Sequence, residues 1–364
     1  MTLPFSGVGS FTGIHPFLLV TLACWLDRLV GDPRWCPHPV VVMGWLISRL
    51  RSLAEGWGGD RPWRLRLAGG LITSVLVGGS GGVGWALERL ALGHPTAFAS
   101  SLPLQWGSRL LLLIALASAL AGRSLAQAVR AVLMALAAGD LPLARERLSW
   151  IVGRDTAGLE APEILRAAAE TASENAVDGL FAPLFWMLLG AGLWSAGFTQ
   201  APGPLALAWG FKAASTLDSM LGYRRGRLRW LGSAGARLDD LLVWLPCRLV
   251  LLSLPLAAGL GPRAWWHTVA AARRDGASDP SPNAGRSQAI YAHGLGVQLG
   301  GLNHYQGQPR PKPLLAVACP PADADAVQRM LQLSGRLALL WLLAAWLLLA
   351  AQLLLAAPLL AAIQ

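Results

Sequence analysis

Arg166, Glu170, Glu174 and Asp178 recur at steps of four residues, with Asn175 beside them. On a helix that spacing puts one basic group and three carboxyls on a single face. Three acids in one stripe suit a divalent cation or an amine, because like charges at this spacing repel until something binds them. The plainer alternative is a solvated helix face carrying an Arg166–Glu170 pair. A second group surrounds Lys212, one of two lysines in the chain. On a helix Lys212, Ser215, Thr216 and Ser219 share a face that could hold a phosphate, and Asp218 is available to a metal. The alternative is a lysine that snorkels from the end of an apolar span.

Three further groups follow the same logic. Arg237, Asp239 and Asp240 enter an apolar stretch, where charges are costly without partners. Adjacent aspartates on a helix point in different directions, so they need not share one ion; Arg248 is a candidate partner, eight or nine residues further on. Near the N-terminus Asp27, Asp32 and His38 surround an irregular Gly and Pro run in which they could meet. Cys36 and His38 supply two ligands there, too few for a zinc site. Lastly, Arg274 and Asp275 precede a turn-rich segment with Ser281, Asn283 and several glycines. Such backbone can present N–H groups to phosphate or amide groups. It fits no dinucleotide fingerprint, since Leu299 stands where the third glycine belongs, and neither lysine follows the glycines of a phosphate-binding P-loop.

The elements that must position these groups are set by composition. Of 364 residues 54% are hydrophobic and 14% charged, against about 25% charged in soluble domains. This excludes disorder and a disulfide-stapled miniprotein, and it predicts an all-α, polytopic integral membrane protein. Six apolar stretches serve as candidate spans: 14–26, 65–87, 102–121, 180–198, 241–260 and 337–363. Pro246, Arg248 and Pro255 predict that the fifth is broken, tilted or turned toward a polar site. No basic leader precedes the first stretch, which predicts an uncleaved membrane segment. The net charge of +10 gathers in four stretches, 28–66, 123–166, 212–237 and 263–336. The first two fit cytoplasmic loops obeying the positive-inside rule, whereas the second half needs a re-entrant piece over 201–211 or a hairpin over 241–260. Segment 123–178 reads as helices outside the bilayer, with Asp140 capping one of them. Residues 263–336 read as a loop-rich region, with Lys312 in a surface turn. The four cysteines show no paired spacing and read as reduced thiols. No motif pairs the positive charge with nucleic acid.

Five blocks, LDRLVGDPRWCPHPV, ETASENAVDGLFAPLFW, KAASTLDSMLGY, GARLDDLLVWLPCRL and RRDG…DPSPNAG…GLGVQLGGLNHYQG, run in order from residue 26 to 307. Together they resemble the CobD/CbiB family of cobalamin biosynthesis, the adenosylcobinamide-phosphate synthases, within a single membrane-embedded domain over 1–364. The resemblance implies an amide bond between a propionate of adenosylcobyric acid and (R)-1-aminopropan-2-yl phosphate or aminopropanol. It also implies ATP and Mg²⁺, by way of an acyl phosphate, with the corrinoid as substrate at the cell membrane. The positions it supports are Glu170, Glu174, Asn175, Lys212, Asp275 and Asn283 for catalysis. For substrate and phosphate they are Asp32, His38, Ser215, Asp218, Arg237, Arg274 and Ser281, and for metal Glu174, Asp178, Asp239 and Asp240. Two positions depart from the family pattern: Gln288 stands where Glu is expected, and Asp279 where His is expected. The family also resembles AmpE, a membrane protein linked to β-lactamase regulation, so a sensor is the competing reading. A small-molecule transporter is a third, and would bury charge near the midplane of its spans. The expected partners are the two substrates and the lipid bilayer, with no nucleic acid, and a homo-oligomer is left open.

Overall fold

The computed structural model describes residues 15–32, 38–92 and 102–361. Cys36 and its metal reading lie outside these residues. In chain order the helices are α1 (Pro16–Leu29), α2 (Pro39–Gly58), α3 (Pro62–Leu92), α4 (Leu102–Ala117), α5 (Gly122–Ala137), α6 (Leu141–Ser149) and α7 (Ala161–Ala176). A π-helical turn (Val177–Phe181) joins α7 to α8 (Ala182–Ser195). Then come α9 (Pro204–Leu221), α10 (Leu228–Leu231), α11 (Ser233–Ala257), α12 (Pro262–Asp275) and α13 (Ala284–Leu295). Strands β1 (Leu299–Tyr305) and β2 (Gln308–Leu315) form an antiparallel hairpin before the long α14 (Ala324–Ala361). Many of these helices open on proline, whose fixed φ suits the first turn and whose missing N–H is no loss there. Asp140 caps α6 by accepting from the Leu143 amide at 2.9 Å, as its position predicts.

Four helical stretches are long and apolar enough to cross a membrane: Pro62–Leu92, Ala161–Ser195, Ser233–Ala257 and Ala324–Leu355. A fifth crossing is available if α4 and α5, bent by 44° at their junction, count as one. The chain is therefore a multi-pass helical membrane protein. Several expected boundaries change. At 14 residues α1 is about 21 Å long, short of a hydrocarbon core of about 30 Å, so 14–26 makes no full span on length. Segment 102–121 reaches across only with α5. The acid-bearing helix and the apolar stretch from residue 180 are one continuous rod, not an outer helix followed by a separate span. Helix α11 runs unbroken through Pro246 and Pro255. Region 263–336 is largely ordered as two helices, a hairpin and the start of α14, and Lys312 lies in β2 rather than a turn. The small residues that looked like loop formers let α13 pack closely. A Cβ on Gly285 would sit 2.6 Å from the carbonyl oxygen of Gly276.

Residues 204–221 form one helix, α9, packed among α2, α3, α8 and α11. Its N-terminus is buried, and Glu88 of α3 satisfies it. That carboxylate accepts from the amides of Gly203 (3.1 Å), Leu205 (2.6 Å) and Ala206 (3.3 Å). Free amides at a helix start carry partial positive charge, so a carboxylate is the natural buried partner. Gly84 makes the approach feasible, since a Cβ there would lie 2.9 Å from Ala206 Cα.

A second buried ion set fixes the hairpin to α7. Glu170 is 1% exposed and pairs with Arg154 and, at 3.2 Å, with Arg166. It also accepts from the Gly300 amide at 3.0 Å. Both guanidiniums donate to Asn303 Oδ1, at 2.8 and 2.9 Å. Removing one partner of such a set leaves buried charge uncompensated, which costs about 3–5 kcal/mol. Glu170→Gln is therefore expected to lower the unfolding temperature in detergent, with early proteolysis at the hairpin. An unchanged melting curve would contradict this role.

Candidate active site

The stripe of four divides in two. Glu170 belongs to the ion set just described, where the Arg166–Glu170 pair of the plainer alternative is realised with Arg154 added. Glu174 and Asp178, one turn and two turns on, face a different space. They line a cavity of about 80 Å³ with Asp218 from α9, Asp239 and Asp240 from α11, and Ser281, Asn283 and Ser287 at the start of α13. Asp178 sits in the π-helical turn, a local widening that re-aims side chains and recurs at functional sites. Asn175 is directed elsewhere: its amide donates to Thr171 Oγ1 at 2.9 Å.

Five carboxyls on one small cavity need compensation. Lys212, half-buried on α9, makes no ion pair among the described residues, yet its charge acts on Asp178, Asp32 and Asp239 together. Gln288 donates to Glu174 Oε2 at 2.6 Å, so a neutral amide orients that carboxylate. Asp239 Oδ1 is buried and has no hydrogen-bond partner. Among the described residues no three His, Cys, Asp or Glu side chains converge into a ready-made metal centre. The donor set is all hard oxygen and one atom of it is orphaned. It fits a small hard cation held by one or two carboxylates, with water or substrate oxygens completing the shell.

Beside the cavity, the Asp32–His38 meeting is realised. His38 Nε2 lies 3.2 Å from Asp32 Oδ1, and Ser124 donates to Asp32 Oδ2 at 2.6 Å. Burial works to raise the Asp32 pKa. The hydrogen bonds from His38 and Ser124 and the charges of His38 and Lys212 outweigh it and hold the carboxyl below its ordinary value. Asp32 thus stays ionised and joins the acids around Lys212.

Several expected residues serve the scaffold instead. Thr216 and Ser219 donate to the carbonyls of Lys212 and Ser215 within α9, so two of the hydroxyls expected for a phosphate are bound to the helix. Ser281 Oγ accepts from the amides of Asn283 (3.3 Å) and Ala284 (3.1 Å) and caps α13. Asp279 Oδ1 accepts from the Ser281 amide at 2.8 Å, forming the turn before that cap. Asn283 is a strut: its amide donates to the Asp240 carbonyl at 2.8 Å and its oxygen accepts from Arg248. Arg248 also donates to the Pro282 carbonyl at 3.0 Å. It therefore ties α11 to α13 and partners neither Asp239 nor Asp240, as the sequence had suggested it could. Asp275 pairs with His293 at 2.7 Å and accepts from the Ala316 amide at 3.2 Å. Against burial, these bonds hold its pKa below the ordinary value. Arg274 is exposed, 3.5 Å from Asp275, and Arg237 is exposed outside the cavity lining.

Sequence reasoning missed Ser124, Ser287, Arg154 and the Gln288–Glu174 bond. No local signal marks the first three. Each becomes visible once α5, α13 and the hairpin are folded against α7.

A family model described as CobD/Cbib protein matches residues 20–334. The cobalamin biosynthesis protein CobD of Synechocystis is 42% identical over 318 residues, covering 87% of each chain. CobD of Geobacter metallireducens is 42% identical over 333 residues, 90% of this chain and 95% of its own. The cobalamin biosynthesis protein CbiB of Salmonella typhimurium is 38% identical over 336 residues, 90% of this chain and 98% of its own. No solved structure matches the chain. The match spans the acidic cavity, its lysine and the helices that hold them, and on it the chain belongs to the CobD/CbiB family of cobalamin biosynthesis proteins.

Proposed function

We propose that the protein forms the amide bond between a propionate of adenosylcobyric acid and aminopropanol phosphate (or aminopropanol), giving adenosylcobinamide phosphate, and that the acidic cavity is where the bond is made. The observation that carries the reading is the convergence of Glu174, Asp178, Asp218, Asp239 and Asp240 from three separate elements, with Lys212 beside them. Family membership supplies the pathway. ATP and Mg²⁺ would supply the activation that amide formation from a carboxylate needs in water.

The chain's own groups suit the remaining tasks. Asp239 and Asp240, with Asp178 and Asp218 around them, would hold a small hard cation, which would supply charge neutralisation to a phosphate. At about 80 Å³ the cavity admits an ion and its waters, whereas organic ligands occupy roughly 300–1,000 Å³. The corrinoid would therefore stay outside and present its propionate. Lys212 faces the developing negative charge with a fixed cation, the kind of preorganised term that carries much of catalysis. Glu174, oriented by Gln288, can take the proton that an ammonium must lose before it attacks a carbonyl carbon. The basic stretches favour a cytoplasmic location for this face.

Purified protein given adenosylcobyric acid, aminopropanol phosphate, ATP and Mg²⁺ is expected to yield adenosylcobinamide phosphate, and to yield none when ATP or Mg²⁺ is omitted. Product formed without a nucleotide would overturn the ligase reading. Lys212→Met and Asp239→Asn are each expected to lower kcat by about 100-fold or more, with unfolding temperatures near wild type. Turnover close to wild type in both would remove the cavity from the chemistry.

A further inference from the structure

Helix α3 records where the bilayer ends. Trp63 and Trp85 are both exposed and stand about 33 Å apart along it, close to a hydrocarbon core of about 30 Å. Tryptophans favour the two membrane–water interfaces. Each of these has an arginine over its ring, Arg64 over Trp63 at 5.4 Å and Arg89 over Trp85 at 5.1 Å. Leu67, Leu71 and Val75 are exposed between them, which suits a side turned to lipid.

The two ends differ in charge. At the Trp63 end, α2, α3 and the loop from α9 to α10 form a basic corner. Arg61, Arg64, Arg66, Arg225 and Arg229 stand there, and among the described residues none of the five makes an ion pair. The acids of the corner, Glu55 and Asp60, are already held by Arg51 and Arg227, each at 2.8 Å. Arg224, in the same loop, acts on Asp218 and Asp240 instead. Two like charges share one ring: Arg66 and Arg229 lie 4.3 and 4.9 Å from the Trp230 centroid. Arg64 lies 5.4 Å from the rings of both Trp57 and Trp63, and its Nε is buried with no hydrogen-bond partner. A ring face attracts a guanidinium but accepts few of its five N–H donors. A cavity of about 470 Å³ opens in this corner, with Arg51, Arg225 and Arg227 around it and Met220 and Leu228 in its wall.

We propose that this corner binds the headgroup of an anionic phospholipid of the cytoplasmic leaflet, with the phosphate on Arg66, Arg225 and Arg229 and the acyl chains along α3. Guanidiniums match phosphate oxygens in pairs, and a surplus of arginine at one interface places that interface on the cytoplasmic side. Exposed Trp57 and Trp63 favour a lipid over a soluble anion, because they set the arginines at the level where acyl chains begin. The inference does not rest on the synthase activity proposed above.

Binding of short-chain phosphatidylglycerol and phosphatidylcholine to the full-length protein in detergent, without nucleotide or corrinoid, tests the corner. Wild type is expected to bind phosphatidylglycerol more tightly by about tenfold or more, and an equal concentration of inorganic phosphate is expected to leave that binding in place. The double variant Arg66→Gln with Arg229→Gln, at two exposed positions, is expected to lose the preference. Arg263→Gln with Arg273→Gln removes the same charge from exposed positions of α12 and is expected to keep it. Equal affinity of wild type for the two lipids would overturn the proposal. So would displacement by inorganic phosphate, which assigns the corner to a soluble anion, and so would equal loss in the two double variants, which reports net charge alone.

Discussion

Carboxylates can be gathered inside an apolar bundle only when something offsets their mutual repulsion and their loss of water. That constraint organises much of this protein. Five acids converge on the small cavity, and the positive charges that act on them are Lys212 on α9 and Arg224 just beyond its end. Helix α9 must therefore be held at one depth and one rotation, and Glu88 does this from α3 by accepting three amides at its buried start. On the other side, α13 brings Gln288 to Glu174. Its own placement depends on the Ser281 cap and the Asn283–Arg248 strut to α11. The motif residues around Asn283 thus shape the site by fixing backbones.

The same reasoning gives Gln288 a meaning. An acid at that position would face Glu174 and need a proton or a cation between them. The amide donates instead and keeps Glu174 oriented whether or not a cation is present. Gln288 thus adds no charge to the cavity.

Much of this was legible in the sequence, and the exceptions have physical reasons. Low charge and long apolar runs announced a helical membrane protein. The stripe Glu174–Asp178, the Lys212 block and Asp239–Asp240 announced costly groups on apolar helices, though not that they face one cavity. Hydropathy could not foresee that α7 and α8 are one rod, since Asp178 and Gly179 look like a boundary and are instead a π-helical turn. Nor could it foresee α13, whose Gly, Ala and Ser residues signal a loop until the close contact of Gly285 with Gly276 is known. Glu170 shows the limit of periodicity. It shares the face of Glu174, but Arg154, sixteen residues upstream, draws it into a scaffold role.

The central claim is that the acids of α7, α9 and α11 jointly hold a hard cation beside Lys212. Mn²⁺ can stand in for Mg²⁺ and be counted by electron paramagnetic resonance on the purified protein in the presence of a non-hydrolysable nucleotide. The account predicts one bound Mn²⁺ per chain in wild type, lost in Asp239→Asn and retained in Glu170→Gln. The same Mn²⁺ count in Asp239→Asn as in wild type, or no bound Mn²⁺ in wild type, would contradict it.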